Sequence, residues 1–147
     1  MTAQQAIERA NEMKQGNVAP DNVKLSWLTE LDQIIYDEVI KRHEQKPPKD
    51  LFGYSEYLFY DEDGKLKWKP APEYTEDNSS DDLIAEAPDD MIYVYWLMAK
   101  IDLYSQELNK YNNDMAIFDN AYQRYKNRYH RDHKPMRGSR IKVGVFK

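Results

Sequence analysis

Three histidines and twelve tyrosines are among the side chains of this 147-residue chain that could do chemistry. His130 and His133 stand three apart. On a helix that spacing places both on one face, where they could share a metal ion. Asp132 is the only further donor close to them in sequence, one ligand short of a structural zinc site. Histidines near the end of a basic helix also complement its dipole, so solvated side chains are the expected reading. The tyrosines could stack on nucleic-acid bases. Tyr111, Tyr122, Tyr125 and Tyr129 fall at helical spacing with Met115 and Phe118, which points instead to a core seam or to contacts with other subunits.

The remaining chemical signals are weaker. His130-Arg131-Asp132 copies three letters of the kinase catalytic loop, but His133-Lys134-Pro135 follows and no glycine-rich loop precedes it. Asp61-Glu62-Asp63-Gly64 begins like a calcium loop. Such a loop needs glycine at position 6 and glutamate at 12, and Leu66 and Pro72 stand there, so the run reads as a turn. Asp32, Asp37, Glu38 and Asp102 lie in apolar helical stretches. Acid–base work would need a cleft and shifted pKa values, and surface or interfacial salt bridges are the expected reading. There is no Ser/His/Asp arrangement and no phosphate loop. The absence of cysteine excludes disulfides, thiolate metal sites and cysteine nucleophiles. No catalytic residue, metal or cofactor is expected, and the chain reads as a non-enzyme.

The elements that carry these residues follow from periodicity. Residues 2–15 read as a short helix with Thr2 as N-cap and Ala6, Ile7, Ala10 and Met13 as its stripe, ended by Gly16-Asn17. Pro20 and Asp21 open a stronger helix over 20–44, with Trp27, Leu28, Leu31, Ile34, Ile35 and Val39 on one broad face. Lys46-Pro47-Pro48-Lys49 breaks it. Residues 57–68 read as a β-hairpin turning at Asp63-Gly64, and 69–82 as a loop. Asp89 and Asp90 begin a helical hairpin. Its two apolar series are out of phase, which places a break at Asn112-Asn113 and helices at 88–110 and 113–132. The expected fold is mainly α: a small bundle of three to four helices with an inserted hairpin and an extended tail. Residues 1–135 form the helical domain with the insertion 46–82, and 136–147 the basic tail. Trp27, Leu31, Ile35, Ile92, Trp96, Ala99, Phe118 and Tyr122 are the expected core. The insertion is expected to be dispensable for folding, and residues 134–147 to be flexible.

Charge is unevenly placed. The net charge is −5, yet residues 124–147 hold nine bases and one acid. Residues 73–90 hold eight acids and no base. The asymmetry suggests two surfaces with different partners. The longest uncharged run, residues 91–99, is far too short to span a membrane, and the N-terminus does not read as a signal peptide. A cytoplasmic site of synthesis and no membrane partner are expected.

Two blocks, 20–45 and 83–135, carry a further signal. They contain Trp27-Leu28-Thr29-Glu30-Leu31-Asp32 and Ile35-Tyr36, then Ile92-Tyr93, Trp96-Leu97-Met98-Ala99, Ile101-Asp102, Tyr111-Asn112, Met115-Ala116, Phe118, Ala121-Tyr122 and Tyr129. This pattern resembles the small head–tail connector, or adaptor, proteins of tailed phages and prophages of Gram-positive bacteria. The resemblance implies a mostly helical subunit of a ring, commonly twelve-fold. Such a ring docks on the portal protein, extends the DNA channel and receives the next neck protein, a stopper or tail-completion protein. DNA passes through without specific binding. The implied location is the virion neck, after assembly in the host cytoplasm. Within that frame Arg137, Arg140, Ile141, Lys142, Val143, Val145 and Phe146 are the expected portal-binding residues. Tyr57, Phe59, Tyr60 and Trp68 would contact a neighbouring subunit or neck protein. Asp81, Asp82 and Glu86 would face the channel or another subunit. The alternative is a small helical nucleic-acid-binding protein that uses the basic C-terminal region.

Overall fold

The structure, a computed structural model, describes residues 1–136. The described residues are mainly helical, with one small antiparallel hairpin. The first helix, α1, runs Ala3–Met13 and starts at a reciprocal cap. The Thr2 hydroxyl accepts from the Gln5 N–H at 3.1 Å, and the Gln5 side chain accepts from the Thr2 N–H at 2.9 Å. Ala3, Ala6, Ile7 and Ala10 bury their face, whereas Met13 projects into solvent.

Helix α2, Asp21–Glu38, stops earlier than its periodicity suggests. A short 3₁₀ turn, Ile40–Arg42, follows, and His43 is extended. Side chains take over the carbonyls that a continuing helix would use. His43 Nδ1–H donates to Val39 O at 2.7 Å, and Gln45 Nε2–H donates to Ile40 O at 3.0 Å. The buried face of α2 includes Leu25, Leu28, Leu31, Asp32, Ile35 and Tyr36. Trp27 is only half-buried. It meets Tyr104 edge-on, and its carbonyl accepts the Trp96 indole N–H at 2.9 Å.

Helices α3, Ile92–Tyr104, and α4, Leu108–Asp132, pack along each other as the expected helical hairpin. The break lies at 105–107, not at Asn112-Asn113, which is inside α4. The cause is a paired C-cap. Gln106 takes φ +61°, its N–H bonds Leu103 O at 3.0 Å, and the Glu107 N–H bonds Asp102 O at 2.9 Å. This is the arrangement that usually carries glycine at the left-handed position, and here glutamine occupies it. On α4 an aromatic ladder faces inward. Phe118 meets Trp96 at 5.0 Å between ring centres and Tyr122 at 5.5 Å, and Tyr125 and Tyr129 continue the series. Of the expected core, Leu31, Ile35, Ile92, Trp96, Ala99, Phe118 and Tyr122 are buried.

Strands β1, Leu58–Tyr60, and β2, Leu66–Trp68, pair antiparallel with Leu58 opposite Trp68. Gly64 supplies the turn at φ +79°, and the Asp61 carboxylate accepts the N–H groups of Asp63 and Lys65. These backbone donors, with Lys67 adding to them, hold the Asp61 carboxyl below its ordinary value.

The segment 46–82 does not stand apart from the helices but packs against them. Tyr74 belongs to the main core, with Tyr57, Trp68 and Ala71 packed against that core. The Tyr36 hydroxyl donates to Lys69 O at 2.6 Å. The start of the tail is also held: Glu44 N–H donates to Lys134 O, and Met136 N–H to Arg42 O, each at 2.8 Å. Residues 134–136 therefore lie along 42–44, where flexibility was expected.

Candidate functional site

Three carboxylates are buried in the bundle: Asp102 and Asp114 make a salt bridge between elements, as the sequence suggests for Asp102, whereas Asp32 makes none among the described residues. Asp32, on α2, is fully buried. Its Oδ1 accepts the Tyr93 hydroxyl at 2.6 Å, and its Oδ2 accepts the Tyr74 hydroxyl at 2.5 Å and the Ile84 N–H at 3.1 Å. Tyr93 also accepts the Ala85 N–H at 2.7 Å. Burial pushes the Asp32 carboxyl above its ordinary value, against the pull of these three donors. Burial and the neighbouring carboxylate push both tyrosines upward, so they stay protonated and donating. The group bolts α2 to α3 and to the stretch 74–85.

Asp102, near the end of α3, shares Lys14 with Asp114 of α4. The ammonium stands 3.0 Å from an oxygen of each. Burial raises the Asp102 carboxyl to about 6, with Asp114 adding and Lys14 opposing. Burial alone would lower the Lys14 ammonium, but the two carboxylates outweigh it and the net shift is upward. This cluster fixes the end of α1 against the α3–α4 turn. Asp37 and Glu38 have ordinary surface roles: Asp37 pairs with Lys41, and Glu38 accepts the Tyr122 hydroxyl.

The acid-rich run divides in two. Asp81, Asp82 and Glu86 are exposed, while Asp89 is engaged by Arg128 at 2.9 Å. Asp82 and Glu86 line a cleft of about 520 Å³ with Tyr36, Tyr57, Lys69 and Tyr74. A smaller cleft of about 230 Å³ lies between Glu86, Asp89, Arg128 and Tyr129. Neither cleft is lined by Asp32 or Asp102, so the raised carboxyls do not meet these open spaces.

The hairpin aromatics expected to face outward are turned partly inward. Tyr57 and Trp68 pack around Tyr36, with ring centres 5.8 and 6.2 Å away. Phe59 and Tyr60 are half-buried. The aromatic surface lies just before them. Phe52 is 97% exposed and Tyr54 83%, with Leu51 beside them. The loop that presents them is built, not slack. Asp50 Oδ1 accepts the Phe52 N–H at 2.9 Å and Asp50 O accepts the Gly53 N–H at 3.1 Å. A Cβ at Gly53 would stand 3.0 Å from the Lys49 backbone nitrogen, so any other residue would crowd that turn. Lys69 locks the base of the loop. Its ammonium donates to Ser55 O at 2.5 Å and sits over the Tyr54 ring at 4.9 Å. The Ser55 hydroxyl in turn donates to Lys46 O.

A second exposed apolar patch lies at the α3–α4 turn, where Leu103, Tyr104 and Leu108 face solvent. Met13 is exposed next to Lys14, the residue that reaches this turn. The loop at 50–54 belongs to the other end of α4, since Tyr54 and His133 line a common hollow. The 25 residues of α4 separate the two patches by about 37 Å. Sequence reasoning missed both. Leu51-Phe52-Gly53-Tyr54 is an apolar run beside a glycine turn, and that was its available signal.

The expected portal-binding residues Arg137, Arg140, Ile141, Lys142, Val143, Val145 and Phe146 lie outside the described residues. Among the described residues no helix is long and apolar enough to cross a membrane. In comparison with known proteins, no family model, no curated protein and no solved structure matches this chain.

Proposed function

We propose that this chain is a structural subunit of a tailed-phage neck, one copy in a ring that docks on the portal protein and receives the next neck protein. One observation carries the assembly part of this reading. Two exposed apolar patches stand at opposite ends of α4 among the described residues, and one of them is a loop, turned at Gly53 and hydrogen-bonded through Asp50, that presents Phe52. Surfaces of this kind on a monomer mark interaction sites. Patches at opposite ends favour a head-to-tail contact, in which the 50–54 loop of one copy seats on the Leu103–Leu108 end of the next. Such contacts generate rings when the rotation closes. The ring and portal themselves rest on the resemblance to connector proteins.

Other features support a structural role. The raised carboxyls are locked in the interior and away from the clefts, as fits an assembly protein without catalysis. Exposed Asp81, Asp82 and Glu86 suit a channel wall that repels DNA phosphates, or a contact with a neighbour's basic residues.

Electron microscopy of the full chain mixed with portal rings tests the proposal. Closed rings of this protein seated on the portal are the expected result. A chain that stays off the portal and binds duplex DNA with a steep salt dependence would instead establish the nucleic-acid reading.

A further inference from the structure

The fold gathers all three histidines of the chain at one place, which their positions in sequence conceal. His43 leaves the 3₁₀ turn after α2, and His130 and His133 lie at the end of α4. His43 Nε2 and His130 Nδ1 are 3.2 Å apart, and the His133 ring centre is 6.4 Å from that of His43. We propose that His43 and His130 form a site for a divalent transition-metal ion of the zinc class, held by two imidazole nitrogens with its other positions open to water.

Four observations carry this. The first is separation: two nitrogens bound to one tetrahedral zinc at ~2.0–2.1 Å lie roughly 3.3–3.4 Å from each other. The 3.2 Å between these two matches that spacing, and because the ion would sit beside the line joining them, the exposed His130 ring must tilt to aim its nitrogen at it. The second is orientation. His43 Nδ1–H donates to Val39 O at 2.7 Å, and a carbonyl can only accept. That fixes the Nδ1–H tautomer and leaves Nε2 as a lone pair, the arrangement that orients metal-binding histidines. The third is support: His43 is buried, packed edge-on to Tyr129 at 5.0 Å. Tyr129 is itself fixed by Gln45 and stacked on His133. The fourth is access, since His130 is exposed and, among the described residues, nothing covers it.

Proton accounting is simple. With His43 Nε2 a lone pair, a neutral His130 must donate its Nδ1–H to it. For both nitrogens to bind a metal, that proton moves by way of water to His130 Nε2. The neutral pair changes tautomer and releases no proton. Among the described residues no three His, Cys, Asp or Glu side chains converge on one point, so this is a two-donor site. Its preference follows the softness of imidazole, which suits zinc, copper and nickel and not magnesium or calcium. A bound ion would clasp the end of α4 to the end of α2, where residues 134–136 run beside 42–44.

The test is calorimetric titration of the full chain with zinc chloride at neutral pH, with magnesium chloride as the control. One zinc per chain with sub-millimolar affinity is expected, and no magnesium uptake. His130→Gln, at an exposed position, should weaken zinc at least about tenfold without unfolding the chain. His133→Gln should change it little. Histidine ring nitrogen NMR gives a readout that needs no variant: zinc should move the His130 signals from the Nδ1–H to the Nε2–H tautomer. No zinc uptake would overturn the proposal and leave a plain imidazole–imidazole hydrogen bond. Undiminished uptake by His130→Gln would overturn it too.

Discussion

The segment 46–82 holds two kinds of aromatic surface, and they have opposite fates. Its later part is anchored: Tyr57 and Trp68 lie against Tyr36, and Tyr74 reaches Asp32. Its early part is presented: Phe52 and Tyr54 stand in solvent on a loop braced from beneath. Aromatic content does not separate the two. One anchor is chemical, because Tyr74 brings a donor that the buried Asp32 carboxylate needs, while Phe52 and Tyr54 are exposed because the other described residues leave them uncovered. The anchored part builds the subunit, and the presented part is left to meet another molecule.

Asp32 is the strongest anchor of the later part. Asp32→Ala removes the acceptor for two hydroxyls and one N–H, and should lower stability by at least about 3 kcal/mol. Denaturant unfolding measures this, and a loss below about 1 kcal/mol would detach the later part of the segment from the core. Trp68→Ala should cost about 2 kcal/mol, roughly half the value for a fully buried tryptophan.

The patch proposed to receive Phe52 can be tested by pH. The Asp102 carboxyl stands at about 6, against 3.8 for the ordinary group. Between these values the folded chain holds a proton that the unfolded chain lacks. Stability from this group is therefore fully present below the ordinary value and is lost as pH rises through about 6. Compared with Asp102→Asn, the wild-type chain should gain stability as pH falls from 7 to 5. Unfolding curves of both at several pH values check this, and a flat or reversed difference would remove Asp102 from the account of the turn.

Much of the architecture was legible in sequence, because the apolar spacing of α1 to α4 and the Asp63-Gly64 turn are local signals. The misses have local causes as well. Gln106 takes a backbone conformation usually left to glycine, so the α3–α4 break carried no punctuation. The end of α2 is set by side chains, with Gln45 and His43 reaching back to its carbonyls. Asp32 looked like a surface carboxylate because its partners are 42 and 61 residues away. The histidine cluster joins residues 87 apart, a distance no spacing argument spans. Phe52 was illegible for the opposite reason: exposure is decided by what the rest of the chain leaves uncovered.

The smallest effect on stability belongs to the presented part, and it carries the largest consequence. Phe52→Ser should change stability by less than about 0.5 kcal/mol, since the side chain touches little of its own subunit. Assembly should nonetheless fail. The most direct measurement places a photo-crosslinking amino acid at position 52 under assembly conditions and maps the product by mass spectrometry. The account predicts a covalent dimer joined between position 52 of one copy and residues 103–108 of another. Crosslinks confined to one chain, or normal assembly of Phe52→Ser, would contradict it.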